Sequence, residues 1–296
     1  MAALAPTSLS KHPLSSESPT QIFGSSVQIG EIQPTQFRFW TSFRSNTGVR
    51  LKASAEPPAL TRGDKQESIV EMESGCDFFD KMKHRFLRFK SHKYLENSEH
   101  YQALSKAQAP KFMVIACADS RVCPSNILGF EPGETFTVRN VANLVPTFES
   151  GPSETNAALE FAVNTLEVEN ILIVGHSCCG GIRALMSMQD EADSSSFIRS
   201  WVIVGKNAKL STKATASNLD FDRQCTHCEK ESINNSLLNL LTYPWIEERV
   251  KKGVLSLHGG YYDFVDCTFE KWTLDYKGSI KDGKNRVVVK DRSFWC

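Results

Sequence analysis

The chain has 296 residues, with 34 Lys plus Arg balanced by 34 Asp plus Glu, so no net field favours nucleic acid or an acidic membrane surface. Its hydrophobic fraction of 41% gives ample material for a core of one large or two small domains, and no apolar run approaches the roughly 20 residues that cross a bilayer. Nine cysteines is an odd count and Cys178 adjoins Cys179, which suits free or metal-bound thiols better than a disulfide framework.

Residues 1–60 are rich in Ser, Thr and Pro, hold only Glu17, Glu31 and Glu56 as acids, and carry scattered Lys11, Arg38, Arg44, Arg50 and Lys52. That composition, without the continuous apolar core of a secretory signal, predicts an organellar transit peptide, chloroplast before mitochondrion, with a plain disordered tail as the alternative. From Gln66 to Phe89, the residues Ile69, Met72, Cys76, Phe79, Met82, Phe86 and Phe89 recur every three or four positions, the stripe of an amphipathic helix. Packing of this aromatic N-terminal arm on its own domain is the default expectation. Covering the sheet of a partner subunit is the other.

Phe112 to Ala116 form an unbroken apolar run, the pattern of a strand buried on both faces, which ends at Cys117 with Asp119 and Arg121 just beyond. Ile127 to Phe130 and the turn Glu131-Pro132-Gly133-Glu134 lead into a second strand, Thr135 to Val138, followed by Arg139, Asn140 and Asn143. Thr155 to Leu166 reads as a helix that delivers the chain to a strand at Ile171 to Val174, completing a parallel βαβ unit. Gly180 and Gly181 permit a tight turn, Ile182 to Met188 continues as helix, and Asp190 to Ser196 is a loop. Phe197 to Leu210 and Ser232 to Val250 are further helices, the second interrupted at Tyr243-Pro244. Val254 to His258, Thr268 to Tyr276 and Arg286 to Lys290 are strands, the last at an edge. The sum is an α/β fold: a mostly parallel central β-sheet flanked by helices, with an N-terminal helical arm.

Two Cys/His clusters compete for chemistry. Cys117, His176 and Cys179 follow the two apolar strands, at the sheet end where open α/β folds bind ligands. Zinc accepts thiolate and imidazole, and three protein ligands leave its fourth tetrahedral position to water. Cys225-Thr226-His227-Cys228 has no second pair nearby and reads as structural or incidental, while Cys76, Cys123 and Cys267 read as small buried hydrophobes. Asp119 and Arg121, beside a ligand at a strand end, read as a functional pair rather than a surface ion pair. GHSCCGG at Gly175 to Gly181 lacks the Lys-Ser/Thr ending of a phosphate loop.

CADSR at Cys117 to Arg121, VRNVANLVP at Val138 to Pro146, GHSCCGG, and CEKESINNSLLNLLTYPWI at Cys228 to Ile246 resemble the plant-type β-class carbonic anhydrases, a likeness running from about Glu71 to the C-terminus. The resemblance implies that 61–296 is the catalytic domain, with Zn2+ held by Cys117, His176 and Cys179 and a catalytic dyad of Asp119 and Arg121. It further implies that Gln108 donates to the substrate oxygen across a dimer interface, and that Phe136, Val141 and Phe161 wall the carbon dioxide site. The implied reaction is reversible hydration of carbon dioxide to bicarbonate and a proton by a zinc-held hydroxide, in a homodimer or a higher homo-oligomer up to an octamer.

Two features depart from the family's pattern. Cys178 stands where GHSACGG has Ala, and Phe161 and Thr165 stand where related plant enzymes often carry Tyr and His groups assigned to proton transfer. Neither Phe nor Thr can shuttle a proton at neutral pH, so slower, buffer-dependent turnover or a different exit group is expected. The rivals are a carbonyl sulfide or carbon disulfide hydrolase on the same scaffold, and a zinc or redox binding protein without turnover.

Overall fold

Strand-forming apolar runs build one six-stranded sheet from β1 (Phe112–Cys117), β2 (Thr135–Asn140), β3 (Asn170–His176), β4 (Ser256–Asp263), β5 (Thr268–Tyr276) and β6 (Val287–Trp295). The order across the sheet is β2-β1-β3-β4-β5-β6; the first four strands are mutually parallel and the last two antiparallel. The computed structural model describes residues 75–189, 196–276 and 287–296, all within 71–296, the second of the two units into which the chain divides. The expected transit peptide, the 66–74 part of the first helix and the 190–195 part of the expected loop lie outside the described residues.

β1 and β3 are two of the interior strands, and alternation of their side chains serves two faces. Met113, Ile115, Ile171 and Ile173 pack with Ile233, Leu237 and Leu240 of the long helix behind the sheet, while Val114, Ala116, Leu172 and Val174 face the other side with Phe269. Each such Val, Leu, Ile, Met or Phe side chain stabilises the fold by about 1.5–3 kcal/mol relative to exposure. From β1 the chain goes to β2 on one side, and it returns to β3 on the other. The carboxyl ends of β1 and β3 therefore meet at a topological switch point, the crevice where open α/β sheets take their ligands.

The helices are α1 (Gly75–Phe89), α2 (Ser98–Lys106), α3 (Pro124–Leu128), α4 (Glu154–Glu160), α5 (Gly180–Ser187), α6 (Phe197–Val202), α7 (Lys206–Thr215), α8 (Phe221–Leu240) and α9 (Pro244–Lys251). Several differ from expectation for local reasons. α8 begins at Phe221 rather than Ser232, with the Asp220 side chain accepting the Arg223 N–H at 2.9 Å as an N-cap. Its first turns bury Cys225, Cys228 and Glu229 instead of an aliphatic stripe, so the hydrophobic period is silent there. The expected Phe197 to Leu210 helix breaks into α6, a 3-10 turn at Ile203–Gly205, and α7. β4 starts at Ser256 and runs on to Asp263, and β6 extends to Trp295 at the sheet edge. α2 and the short, proline-started α3 had no sequence signal strong enough to be read.

Two expectations are corrected outright. Cys267 is exposed, at a φ of 53° in the turn between β4 and β5, and not a buried hydrophobe; Cys123 is half-buried, and the Cys76 side chain lies outside what is described. α1 does not lay its apolar stripe on its own domain: Phe79 is 70% and Phe86 61% exposed. The arm is tied to the domain further on, where Phe89, Tyr94 and Tyr101 cluster, Lys93 pairs with Glu131 at 3.2 Å, and Leu104 packs so closely on Gly133 that a Cβ there would stand 2.5 Å from it.

Candidate metal centre

Cys117 is the last residue of β1, His176 the last of β3, and Cys179 the N-cap of α5. All three are buried, their ligand atoms lie within 4.8 Å of one another, and among the described residues they form the one such group of three. The Nδ1 of His176 lies 2.9 Å from the Ser177 carbonyl, to which it donates in the tautomer that leaves Nε2 as an acceptor. That Nε2 is buried and has no hydrogen-bond partner. The hydrogen bond from the Cys179 thiol pulls Cys117 well below the usual thiol range, with burial opposing and His176 assisting. The same bond, together with burial, pushes Cys179 up.

The backbone around the ligands is over-determined. Asn140 clamps Leu144 at both its N–H and its C=O, 2.8 Å each, which holds Ala142 and Asn143 at φ values of 65° and 47°. In that posture the Ala142 N–H donates to the Cys117 Sγ at 3.4 Å. Gly181 is required here, since a Cβ would come within 2.7 Å of Val141 Cγ1 and 2.9 Å of Ala142 Cβ. Arg139 reaches across from β2, donating from Nε to the Cys117 carbonyl at 2.9 Å and from Nη2 to the Asp119 carbonyl at 2.6 Å.

Asp119 and Arg121 make a two-point pair: Nε to Oδ1 at 2.9 Å and Nη2 to Oδ2 at 2.7 Å, with the Arg121 backbone N–H also on Oδ1 at 2.9 Å. Arg121 is steadied by the ring of Phe264, 4.4 Å below its guanidinium, and by the Cys178 carbonyl at 3.3 Å. The hydrogen bonds from Arg121 hold the Asp119 carboxyl far below the usual carboxylate range, against a smaller opposing effect of burial. Asp119 is thus an obligate acceptor at any working pH.

Of the remaining predicted residues, Phe136 and Phe161 meet with ring centroids 5.7 Å apart, and Val141 lies beside the Gly181 turn. Gln108 is exposed on the connection between α2 and β1 and makes no hydrogen bond among the described residues. Cys225 and Cys228 are buried in α8 without a third metal-ligating partner among the described residues. Sequence reasoning missed Glu229, Arg139 and Phe264. Their signals are a polar residue in a polar segment, an arginine after a strand and an aromatic in a turn, none of which reveals a partner.

Three side chains of types that can hold a metal converge at the switch point of a parallel sheet, with an Asp-Arg pair alongside, an arrangement that suits an α/β metalloenzyme. Residues 112–269 match the carbonic anhydrase family. The chain is 59% identical to β carbonic anhydrase 5, chloroplastic, of Arabidopsis thaliana over 99% of both chains. It is 56% identical to β carbonic anhydrase 6, mitochondrial, of the same plant over 76% of this chain and 77% of that one. Among solved structures it resembles the β-carbonic anhydrase CcaA, with a TM-score of 0.63 and 27% identity over 66% of this chain and 88% of that chain. The chain belongs to the β-carbonic anhydrases, enzymes of reversible carbon dioxide hydration, and neither rival reading is favoured. The relative aligned along nearly the whole chain is the chloroplastic one, in agreement with the plastid address expected from the N-terminal composition.

Proposed function

We propose that Cys117, His176 and Cys179 hold the Zn2+ of this carbonic anhydrase, and that Asp119 and Arg121 manage its open position. The observation that carries the reading is the buried, partnerless Nε2 of His176 within a set of two thiols. A buried polar atom left unpaired costs about 1–3 kcal/mol, and a metal bond removes that cost. Two sulfurs and one imidazole nitrogen are a donor set that zinc accepts with one position left for solvent.

Bound zinc supplies a nucleophile near neutral pH by acidifying water, an effect established for the three-histidine carbonic anhydrases rather than derived for this ligand set. Two thiolates donate more charge than imidazoles, and the Ala142 N–H on Cys117 draws some of that charge away. Asp119, kept ionised, would accept a hydrogen bond from the reacting oxygen and so aim its lone pair, and Arg121 would hold Asp119 in that accepting role by its two-point contact. Phe136, Phe161 and Val141 offer apolar surface to carbon dioxide, which carries no charge. The exposed arm and the exposed Gln108 support a homodimer or larger assembly, in which Gln108 serves the site of the neighbouring subunit.

Stopped-flow hydration of carbon dioxide tests the reading. Activity is expected to vanish with a zinc chelator and return on adding Zn2+, and a rate that survives metal removal overturns it. With Phe161 and Thr165 unable to pass protons, the rate is expected to rise with buffer concentration; a high rate indifferent to buffer points to another exit group.

A further inference from the structure

Glu229 is a carboxylate almost out of contact with water, 3% exposed, on α8 beneath the metal centre. Both of its oxygens are engaged. Oε1 accepts the backbone N–H of Cys179 at 2.8 Å, and Oε2 accepts the hydroxyl of Tyr261, itself buried on β4, at 2.8 Å. A buried carboxylate is costly even when fully hydrogen-bonded, and a well-packed apolar side chain would serve the fold alone at least as well. Its target is informative, because the peptide that Glu229 grips carries the second thiol of the metal set.

That peptide sits in a turn with other anchors; the Cys179 carbonyl accepts the Arg183 N–H at 3.0 Å as α5 begins, and among the described residues Glu229 is the partner of the Cys179 N–H. Ser177 donates its N–H to the Tyr262 carbonyl at 3.0 Å and accepts the Phe264 N–H at 3.1 Å, and Arg121 reaches the Cys178 carbonyl. Cys178 lies at φ 56°, so the chain direction changes just before the ligand. Small rotations of the Cys179 peptide there would swing its Sγ away from Cys117 and His176.

Resting on the reading of those three residues as zinc ligands, we propose that Glu229 is a positioning residue: steadied by Tyr261, it fixes the Cys179 peptide so that the thiol stays convergent with the other two ligands. Two other roles would leave different traces. A carboxylate acting through its charge would depend on ionisation, and one that merely caps the start of α5 would affect stability alone.

Three full-length variants separate these roles. Glu229→Asp keeps the charge but is one methylene too short; Glu229→Gln keeps the reach, with an amide oxygen for Cys179 and an amide nitrogen for Tyr261. Tyr261→Phe leaves Glu229 intact and frees its second oxygen. Zinc affinity is measured by competition with a chromophoric chelator, and the thiolate charge-transfer band of the cobalt(II) form reports the ligand geometry. Glu229→Asp is expected to lose about 10–100-fold in zinc affinity with an altered band, Glu229→Gln to stay within about threefold of wild type, and Tyr261→Phe to fall between them. An unchanged affinity in Glu229→Asp overturns the proposal, as does a loss in Glu229→Gln equal to that in Glu229→Asp. If Glu229→Asp does not fold, Tyr261→Phe decides, and an unchanged affinity there overturns it. A wild-type chain that takes up no zinc sinks the metal reading and this proposal with it, whereas uptake that no variant disturbs sinks this proposal alone.

Discussion

Arg121 shows how a surface-type ion pair becomes part of a site. Its side chain is half exposed, where a lone pair of charges is worth little, yet it engages both carboxylate oxygens of Asp119 and is seated on Phe264. In Arg121→Ala, Asp119 is free to turn toward the metal and become a fourth protein ligand. A fall of about 100-fold or more in kcat/KM is expected, with four protein ligands by X-ray absorption; an active variant with an open metal position contradicts this role. The convergence of Cys117, His176 and Cys179 was legible in the sequence, because Cys117 and His176 close off apolar strands. Glu229 and Arg139 were not, because what they do depends on which distant backbone groups the fold brings to them.

At the scale of elements, the joins around the site are tight. Gly181→Ala would drive the start of α5 into Val141 and Ala142, the segment that presents an N–H to Cys117. Overpacking of this kind costs about 1–3 kcal/mol, so a lower Tm together with weaker zinc retention is expected, and a variant equal to wild type in both shows that the turn can yield. Across the sheet, His258 of β4 ties β3 to β5, with Nε2 3.1 Å from Asn170 Oδ1 and Nδ1 3.0 Å from Thr273 Oγ1. Burial, then the charge of Lys271, push it down to about 4 from an ordinary 6.5, with Asp291 opposing. The unfolded imidazole takes its proton first, so the contribution of neutral His258 is whole above about pH 6.5 and is lost as pH falls through about 4. Denaturant midpoints should therefore drop between about pH 7 and pH 4.5, and drop less in His258→Gln; equal slopes in the two proteins exclude His258 as the source. The periodicity that located the strands could not locate the start of α8, because a helix that buries thiols, Glu229 and Ser232 leaves no apolar stripe to count.

For the whole molecule, the unpaired surfaces are complementary in kind. α1 presents Phe79, Met82 and Phe86 to solvent, and the face of the sheet away from α8 carries an apolar groove of about 400 Å³ lined by Phe112, Phe130, Phe269 and Trp295. The amphipathic stripe was plain in the sequence, but a stripe does not say which surface covers it. Removal of residues 1–96 is expected to shift the protein to a smaller species in analytical ultracentrifugation and to depress hydration activity per chain. An unchanged assembly would place the contact elsewhere.

The candidate metal pocket draws on residues 117, 176 and 179, on the Arg139 side chain, the Ala142 backbone and Glu229, so more than a hundred positions of chain separate its first part from its last. No short stretch emerging from a ribosome or threading through an organelle envelope contains it. Under the proposed zinc site, a chain imported into the plastid in unfolded form would take up its cation only after import, once the fold has brought these parts together.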